Sequence, residues 1–332
     1  MADTRRGALP VVRPGSYAAR IGPVTGHPPE TGDRMDTPRP FAPRSEPLDE
    51  DRYDDELDAD SVGRDRVNVP EPAPLTEHGP ARVIAVANQK GGVGKTTSTI
   101  NLGAALAEYG RRVLLVDFDP QGALSVGLGV QAHELDMTIY NLLMERGAEI
   151  DEVIRPSGVE GMDLLPSNID LSAAEVQLVT EVGREQALGR AIKPVLDRYD
   201  VILIDCQPSL GLLTINALAC ADSILIPLAC EFFSLRGVAL LMDTIDKVKE
   251  RLNPDLQILG ILATMFDPRT LHTKEVRQRV IEAFGELVFE AVINRTVRFP
   301  ETTVAGEPIT TWAPASNGAK AYRMLAREVI AR

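Results

Sequence analysis

Cysteines are few in this sequence of 332 residues, and long apolar runs are absent from it. The three cysteines, Cys206, Cys220 and Cys230, have no C-x-x-C spacing, which argues against a zinc site and a disulfide framework. They suit buried structural thiols in a reducing compartment. No stretch approaches the roughly 18 apolar residues of a membrane-spanning helix, and the N-terminus lacks an apolar signal segment. We therefore expect a cytoplasmic protein.

Basic residues are outnumbered by acidic ones, since 35 Lys and Arg face 48 Asp and Glu for a formal net charge of −13. The excess is spread along the chain: residues 1–80 carry −6 and the remainder carries −7. Neither part is globally basic. If the protein binds nucleic acid, a local patch must act against an unfavourable overall field.

Residues 1–80 differ in texture from the rest. They hold 13 of the 24 prolines, no apolar periodicity and an acidic stretch at Glu46–Asp60. Such a segment buries too little apolar surface to offset the entropy lost on ordering, which predicts a disordered Pro-rich acidic tail. Two roles stay open for its acidic run, simple solvation and docking of a basic partner.

From Arg82 onward, short apolar runs alternate with helical patterns. These runs, rich in β-branched residues, predict five strands with helices between them. The predicted strands are RVIAVAN, RRVLLVDFD, YDVILIDCQPS, DSILIPLA and LQILGILATMF, and the predicted helices are Lys95 to about Tyr109, Arg184–Leu196, Leu235–Arg251, His272–Phe284 and Gly318–Ala331. This order predicts one α/β domain over residues 81–332, with a mainly parallel sheet covered by helices on both faces.

A glycine-rich segment, NQKGGVGKTT, lies directly between the first strand and the first helix. That context is typical of a phosphate-binding loop, in which backbone N–H groups and a helix N-terminus hold phosphates. We predict that Lys95 neutralises β and γ oxygens, that Thr96 ligates Mg²⁺ and that Thr97 faces the α-phosphate. The backbone groups expected to converge on the phosphates belong to Gly91, Gly92, Val93, Gly94, Lys95 and Thr96.

Two more apolar strands end in carboxylates. VLLVDFDPQG brings Asp117 and Asp119, and VILIDCQPS brings Asp205, to the carboxyl edge of the sheet, where α/β proteins bind ligands. Asp205 stands where a Walker B aspartate holds Mg²⁺. One acidic strand end is also typical of a helix cap or an ion pair. The three elements together, in this order, favour a nucleotide site.

KGGVGKTT, VLLVDFDPQG and VILIDCQPSLGLLTINAL resemble the deviant Walker A, Walker A′ and Walker B segments of the ParA/MinD class of P-loop ATPases. EFFSLRGV, TMFDPRT and VRFPET are similar to Soj-type partitioning ParA proteins, and the likeness covers roughly Arg82–Arg332. The resemblance implies an ATPase that uses ATP and Mg²⁺, with Asp117 and Asp205 near the metal. It also implies that Asp119 orients the attacking water.

The standard phosphate-loop pattern is broken here, because Gln89 replaces its first glycine and an extra lysine, Lys90, follows. The resemblance implies that Lys90 reaches the phosphates held by a facing subunit, so that ATP joins a homodimer. A cation at that point would offset the negative charge that two apposed nucleotides bring together. Contact between Lys90 and its own phosphates is the alternative.

Adenine recognition in the resembling family maps to Thr264, Met265 and the loop INRTVRFPE. Relatives usually carry a proline where this chain has Asn294. The predicted adenine site therefore departs from the family pattern at this position.

The same resemblance implies non-specific DNA contacts by a dimer at Arg269 and Arg298. Lys274 and Arg277 lie three apart on a predicted helix and could join them on one face. A solvated basic face is the alternative. Two small patches in a dimer would bind by avidity despite the acidic background, and binding would be sensitive to salt.

Three functions remain open at this level. The first is a ParA-type ATPase on the nucleoid, whose hydrolysis is stimulated by a ParB-like partner during chromosome or plasmid segregation. The second is the same nucleotide switch positioning another cargo or regulating replication or transcription. The third is a MinD-like division-site protein, which the C-terminal GAKAYRMLAREVIAR disfavours, because its apolar spacing predicts packing on the sheet rather than a membrane helix. The cysteine positions do not match iron–sulphur relatives.

Overall fold

The computed structural model describes residues 69–231 and 234–332. The strands are β1 (Arg82–Val86), β2 (Val113–Phe118), β3 (Arg155–Pro156), β4 (Met162–Leu165), β5 (Val201–Cys206), β6 (Ser223–Ala229), β7 (Gln257–Phe266) and β8 (Val288–Asn294). The helices are α1 (Lys95–Glu108), α2 (Ala123–Gly127), α3 (Ile139–Met144), α4 (Ile150–Val153), α5 (Leu171–Gln177), α6 (Ala187–Ile192), α7 (Leu212–Cys220), α8 (Ser234–Arg251), α9 (Leu271–Phe284), α10 (Arg298–Ala305), α11 (Ile309–Trp312) and α12 (Asn317–Ala331). Short 3-10 turns complete several of these helices.

The eight strands form one sheet in the order β3-β4-β2-β5-β1-β6-β7-β8. All pairings are parallel except that of β3 with β4. Helical crossovers return the chain to the same edge after each parallel strand, so the carboxyl ends of the central strands meet along one edge. That edge is where the predicted phosphate loop and strand-end carboxylates come together.

Helices cover both faces of this sheet and enclose two apolar cores. Successive residues of β1 alternate between them, with Val83 and Ala85 in one core and Ile84 and Val86 in the other. Side chains of α3 to α9 contribute to the first core, and those of α1, α2, α11 and α12 to the second. Burial on both faces explains why the strand sequences are continuously apolar rather than alternating.

The predicted fold class is confirmed, and the five predicted strands correspond to β1, β2, β5, β6 and β7. The structure has three further strands that the sequence does not predict. Two of them are short, since β3 has two residues and β4 has four, and the third, β8, is formed by VFEAVIN, which belongs to no predicted element. The prediction of one helix over Arg184–Leu196 was wrong. Only Ala187–Ile192 is α-helical, flanked by 3-10 turns, and Pro194 removes an amide donor where the helix would continue.

Residues 1–68 of the predicted tail lie outside the described residues. The remaining stretch, 69–80, contains no helix or strand but is tied to the domain. Val69 is buried, the guanidinium of Arg111 donates to the carbonyl of Ala73 at 3.2 Å, and His78 contacts Asp200 at 2.8 Å. Ordering of these residues therefore comes from tertiary contacts rather than from local periodicity.

The C-terminal helix α12 packs on the sheet, as its apolar spacing predicts. Tyr322 and Leu325 are fully buried, and the Tyr322 ring meets Phe299 edge-on with centroids 5.9 Å apart. Across the described part of the chain, no helix is both long enough and apolar enough to cross a membrane.

Candidate functional site

Three neighbouring strands bring the predicted site to one point on the sheet edge. In the register, Asp205 of β5 is the partner of both Asp117 on β2 and Val86 on β1. The glycine-rich loop leaves the sheet directly after Val86 and ends at α1. Two carboxylates from separate strands are therefore set beside the loop by backbone pairing alone.

The loop turns into α1 through glycines with left-handed backbone conformations. Gly92 and Gly94 have φ of 71° and 82°, values that glycine adopts without a Cβ penalty. A Cβ built at Gly92 would meet nothing within 4 Å, so the loop backbone is open on that side. The base of the loop is fixed by β7, because the buried Thr264 hydroxyl donates to the carbonyl of Val93 at 2.9 Å.

Lys95 is the buried cation of the site. Its side chain lies within the turn of the loop, and Nζ donates to the carbonyl of Lys90 at 3.1 Å. Burial lowers its pKa, and the Asp205 carboxylate opposes that shift. The amine is hydrogen-bonded to its own glycine-rich loop. It lies in the position expected of a lysine that binds terminal phosphates.

Asp117 and Asp205 are both fully buried and lie on adjacent strands. Burial raises the pKa of Asp117 to about 7, against hydrogen bonds from the Ser125 hydroxyl at 2.7 Å and amide at 2.8 Å. Burial and the nearby charge of Asp117 raise the pKa of Asp205 to about 8. The Thr96 hydroxyl donates to Asp205 at 2.7 Å.

This oxygen-rich group fits Mg²⁺ held together with a nucleotide. Two buried carboxylates on adjacent strands favour a bound cation, which would offset their negative charge. Mg²⁺ in such sites takes one or two protein oxygens and completes its shell with phosphates and water. Thr96, Asp117 and Asp205 are the residues that would hold the metal.

Asp119 closes the first turn after β2. Its carboxylate accepts from the Gln121 amide at 2.9 Å, and its carbonyl accepts from the Gly122 amide at 2.9 Å. The Asp119 carboxylate is close enough to Lys95 to oppose the lowering of the pKa of that amine by burial. Asp119 therefore belongs to the same site, and its assignment to the attacking water remains a prediction.

Lys90 has surroundings unlike those of Lys95. Its side chain is 37% exposed, and its amine pairs with the carboxylate of Glu231. Its backbone amide donates to Asn88 at 3.0 Å, and the Asn88 side-chain amide donates to the carbonyl of Pro227 on β6 at 2.7 Å. The first half of the loop is thus anchored to β6, while the Lys90 amine lies at the surface.

The predicted adenine contacts meet at one corner of the sheet edge. Asn294 is exposed and pairs in register with Phe266, the residue after Met265. Met265 has a left-handed backbone with φ of 50°, uncommon for a residue with a side chain. Thr264 differs from the other two, because it is buried and its hydroxyl supports the phosphate loop.

The four basic residues predicted to contact DNA have different surroundings. Arg269 is exposed, but its guanidinium forms a two-point pair with Asp267 at 2.9 and 3.0 Å. Arg277 is half-buried, and its Nε has no hydrogen-bond partner in the described structure. Lys274 lies on the same helix, and Arg298 begins α10; both are half-buried. The predicted surface is therefore less uniformly exposed than the spacing suggests.

Several site residues escaped the sequence reasoning. The Ser125 hydroxyl donates to Asp117, and Glu231 forms an ion pair with Lys90. The side-chain amide of Gln207, the residue after β5, donates to the carboxylate of Glu175 on α5 at 3.2 and 3.3 Å. A Cβ at Gly211 would lie 2.1 Å from the Glu175 carboxylate, so this loop and α5 fit closely. Ser125 follows the Walker A′ segment and Glu231 begins EFFSLRGV, but neither pattern indicates which contact the side chain makes.

The chain is similar to known proteins over most of its length. The family model described as "AAA domain" matches residues 81–258. An uncharacterized protein of Mycobacterium tuberculosis is 70% identical over 82% of this chain and 85% of its own length. The chromosome-partitioning ATPase Soj of Treponema pallidum is 47% identical over 76% and 98%, and the chromosome partitioning protein ParA of Myxococcus xanthus is 47% identical over 76% and 88%.

A crystal structure titled cobyrinic acid a,c-diamide synthase from Mycobacterium smegmatis, with bound ADP and magnesium, is similar in fold and sequence. It is 44% identical, covers 74% of this chain and 92% of its own, and has a TM-score of 0.65. ATP and Mg²⁺ are accordingly the cofactors of this protein. The chain belongs to the ParA/Soj family of P-loop ATPases.

Proposed function

We propose that this ATPase partitions chromosomal or plasmid DNA by forming an ATP-joined homodimer that binds DNA without sequence preference. The observation that carries the proposal is the contrast between two lysines of one loop. Lys95 is buried against the site carboxylates, whereas Lys90 presents its amine at the surface. In this proposal the buried amine of Lys95 binds the nucleotide of its own subunit, and the surface amine of Lys90 binds a nucleotide on the facing molecule through charge-assisted hydrogen bonds.

The chemistry follows from these positions. Bound Mg²⁺ and ATP supply the metal-neutralised triphosphate. Loop N–H groups and the Lys95 amine would hold its oxygens, and Thr96, Asp117 and Asp205 would hold the metal. Asp119 orients the attacking water, and Lys90 of the facing subunit offsets charge that develops on the transferred phosphoryl group. Assembly of the dimer would therefore complete the site, and loss of the γ-phosphate would release the two subunits.

DNA binding is assigned to Arg269, Lys274, Arg277 and Arg298. The chain is acidic overall, so one patch would bind weakly, and two patches in a dimer would bind through avidity. Because phosphate contacts release counterions, retention on DNA is expected to fall steeply between low and physiological salt. A ParB-like partner that stimulates hydrolysis would then release the protein from the nucleoid.

The test measures mass by light scattering with ATP or ADP, with and without DNA, at two salt concentrations. We expect dimers with ATP only, and DNA complexes only where dimers form and salt is low. Lys90→Ala is expected to bind ATP as a monomer. Dimerisation of Lys90→Ala equal to that of the unaltered protein would refute the role of this amine between subunits.

A second candidate is the same switch acting on another cargo. Partner capture with the ATP-bound protein separates the two, since a centromere-binding partner that accelerates ATP hydrolysis supports partitioning.

Liposome sedimentation tests a MinD-like role, and we expect no ATP-dependent membrane binding because the apolar face of α12 is already buried on the sheet.

The diamide synthase name of one similar structure raises amide formation as a further activity. Release of ammonia from an amide by a thiol nucleophile requires a cysteine of lowered pKa. Burial instead raises the pKa of Cys220 and Cys230 to about 12 and that of Cys206 well above its usual value. These are the three cysteines of the sequence, and none of them has the lowered pKa that is typical of a nucleophilic thiol.

A further inference from the structure

Glu231 lies two residues after the end of β6 and holds the amine of Lys90 in an ion pair. Backbone hydrogen bonds hold this segment in place, since the amide of Cys230 donates to the Thr264 carbonyl at 3.0 Å and that of Glu231 donates to the Ala229 carbonyl at 2.7 Å. Both ends of the pair are therefore attached to neighbouring strands. The contact spans 141 residues of sequence and belongs to the fold rather than to a local turn.

Basic side chains from three segments of the chain lie near the Glu231 carboxylate. Its hydrogen bond with Lys90 is the main reason that the pKa of Glu231 lies below its usual value, and Arg295 and His272 act in the same direction. Lys90 comes from the glycine loop, Arg295 from the segment after β8, and His272 from the first turn of α9. A carboxylate in that setting stays ionised at neutral pH and places a negative charge beside the glycine-rich loop.

We propose that Glu231 is a positioning residue that retains the Lys90 amine in the monomer and releases it only to a nucleotide on a facing subunit. This inference rests on the proposed ATP-joined dimer. To reach a phosphate on the facing subunit, the Lys90 amine must give up its ion pair with Glu231. Assembly of the dimer therefore exchanges the carboxylate for phosphate oxygens. The exchange opposes dimerisation of the nucleotide-free protein, and a triphosphate, carrying more charge than one carboxylate, overcomes it.

The expected effect is modest because the pair is partly exposed, at 37% for Lys90 and 55% for Glu231. Removing an exposed ion pair changes an equilibrium by about 1.4- to 5-fold. Both subunits lose the pair, so Glu231→Gln is expected to lower the Kd of the ATP-bound dimer by about 2- to 30-fold. Asp151→Asn is the matched control, since it removes the exposed partner of Arg198 away from the loop.

The first measurement is the Kd of the dimer by sedimentation with Mg²⁺ and a slowly hydrolysed ATP analogue. The second is the rate at which Lys90 is acetylated in the nucleotide-free protein, read by mass spectrometry with exposed Lys193 as internal reference. Release from Glu231 is expected to raise the Lys90 rate several-fold relative to Lys193. Circular dichroism and thermal unfolding establish that Glu231→Gln is folded.

A lower Kd together with faster labelling of Lys90, both absent in Asp151→Asn, supports the proposal. An unchanged or higher Kd overturns it, because Glu231 would then not restrain assembly, and unchanged labelling overturns the retention of Lys90. Failure of the proposed function looks different. In that case the unaltered protein forms no ATP-dependent dimer, whereas the labelling experiment still reports whether Glu231 holds the amine.

Discussion

Replacement of Thr264 by valine tests how the phosphate loop is supported from outside its own sequence. Thr264 is 1% exposed, and its hydroxyl donates to the Val93 carbonyl at 2.9 Å. Valine keeps the volume and branching but removes the donor. One of its methyl groups would replace the hydroxyl against a polar oxygen in a buried place, which is unfavourable in both packing and hydrogen bonding.

Loss of this buried hydrogen bond is expected to lower the free energy of unfolding by about 1.5 kcal/mol. For a domain of this size that corresponds to a fall in Tm of about 3–6 °C. The loop also loses its link to β7, so the rise in Tm on adding Mg²⁺ and ATP is expected to be smaller than in the unaltered protein. Thermal unfolding with and without nucleotide measures both effects.

Thr244→Val is the control, because the Thr244 hydroxyl also donates to a backbone carbonyl, at 3.0 Å, but on the exposed side of α8. We expect it to change Tm little and to leave the nucleotide effect intact. The same scans with GTP separate loop support from base recognition. If Thr264→Val leaves the nucleotide-free Tm unchanged but removes the preference for ATP over GTP, the structural reasoning is refuted and Thr264 reads the base.

Three further substitutions test the remaining assignments. Lys95→Ala is expected to abolish the nucleotide-induced rise in Tm, since the buried amine is the loop's own cation; an ATP-dependent dimer that survives this change would contradict it. Asp119→Ala should bind ATP and remain dimeric while its hydrolysis rate falls at least about 100-fold, within the range expected for a group that positions the nucleophile; unchanged phosphate release would remove Asp119 from the mechanism. Arg298→Glu is expected to lose DNA retention while keeping the ATP-dependent dimer, and intact retention in a filter assay would place the DNA surface elsewhere.

Much of the site was predictable because its parts are local in sequence. A strand, a glycine-rich turn and a helix follow one another along the chain, so the loop forms wherever those elements form. Asp117, Asp119 and Asp205 stand at the ends of apolar strands, and parallel strands joined by helical crossovers place such ends on one edge. These features need only element type and order, which composition and periodicity report.

Contacts between distant segments required the tertiary structure. Thr264 lies 171 residues from Val93 and Glu231 lies 141 from Lys90, and no pattern in either segment announces its partner. Burial and pairing are equally non-local: Arg277 is half-buried by the packing of α9, although its spacing on the helix looks like that of an exposed cation.

The amino-acid sequence alone thus determined the α/β class, the phosphate loop and the acidic strand ends, because each depends on neighbours along the chain. The tertiary structure decided which lysine is buried, what holds the loop to β6 and β7, and which carboxylate faces the Lys90 amine. Those outcomes depend on strand order and side-chain packing, since a group's partners and its exposure to water are set by the segments folded against it.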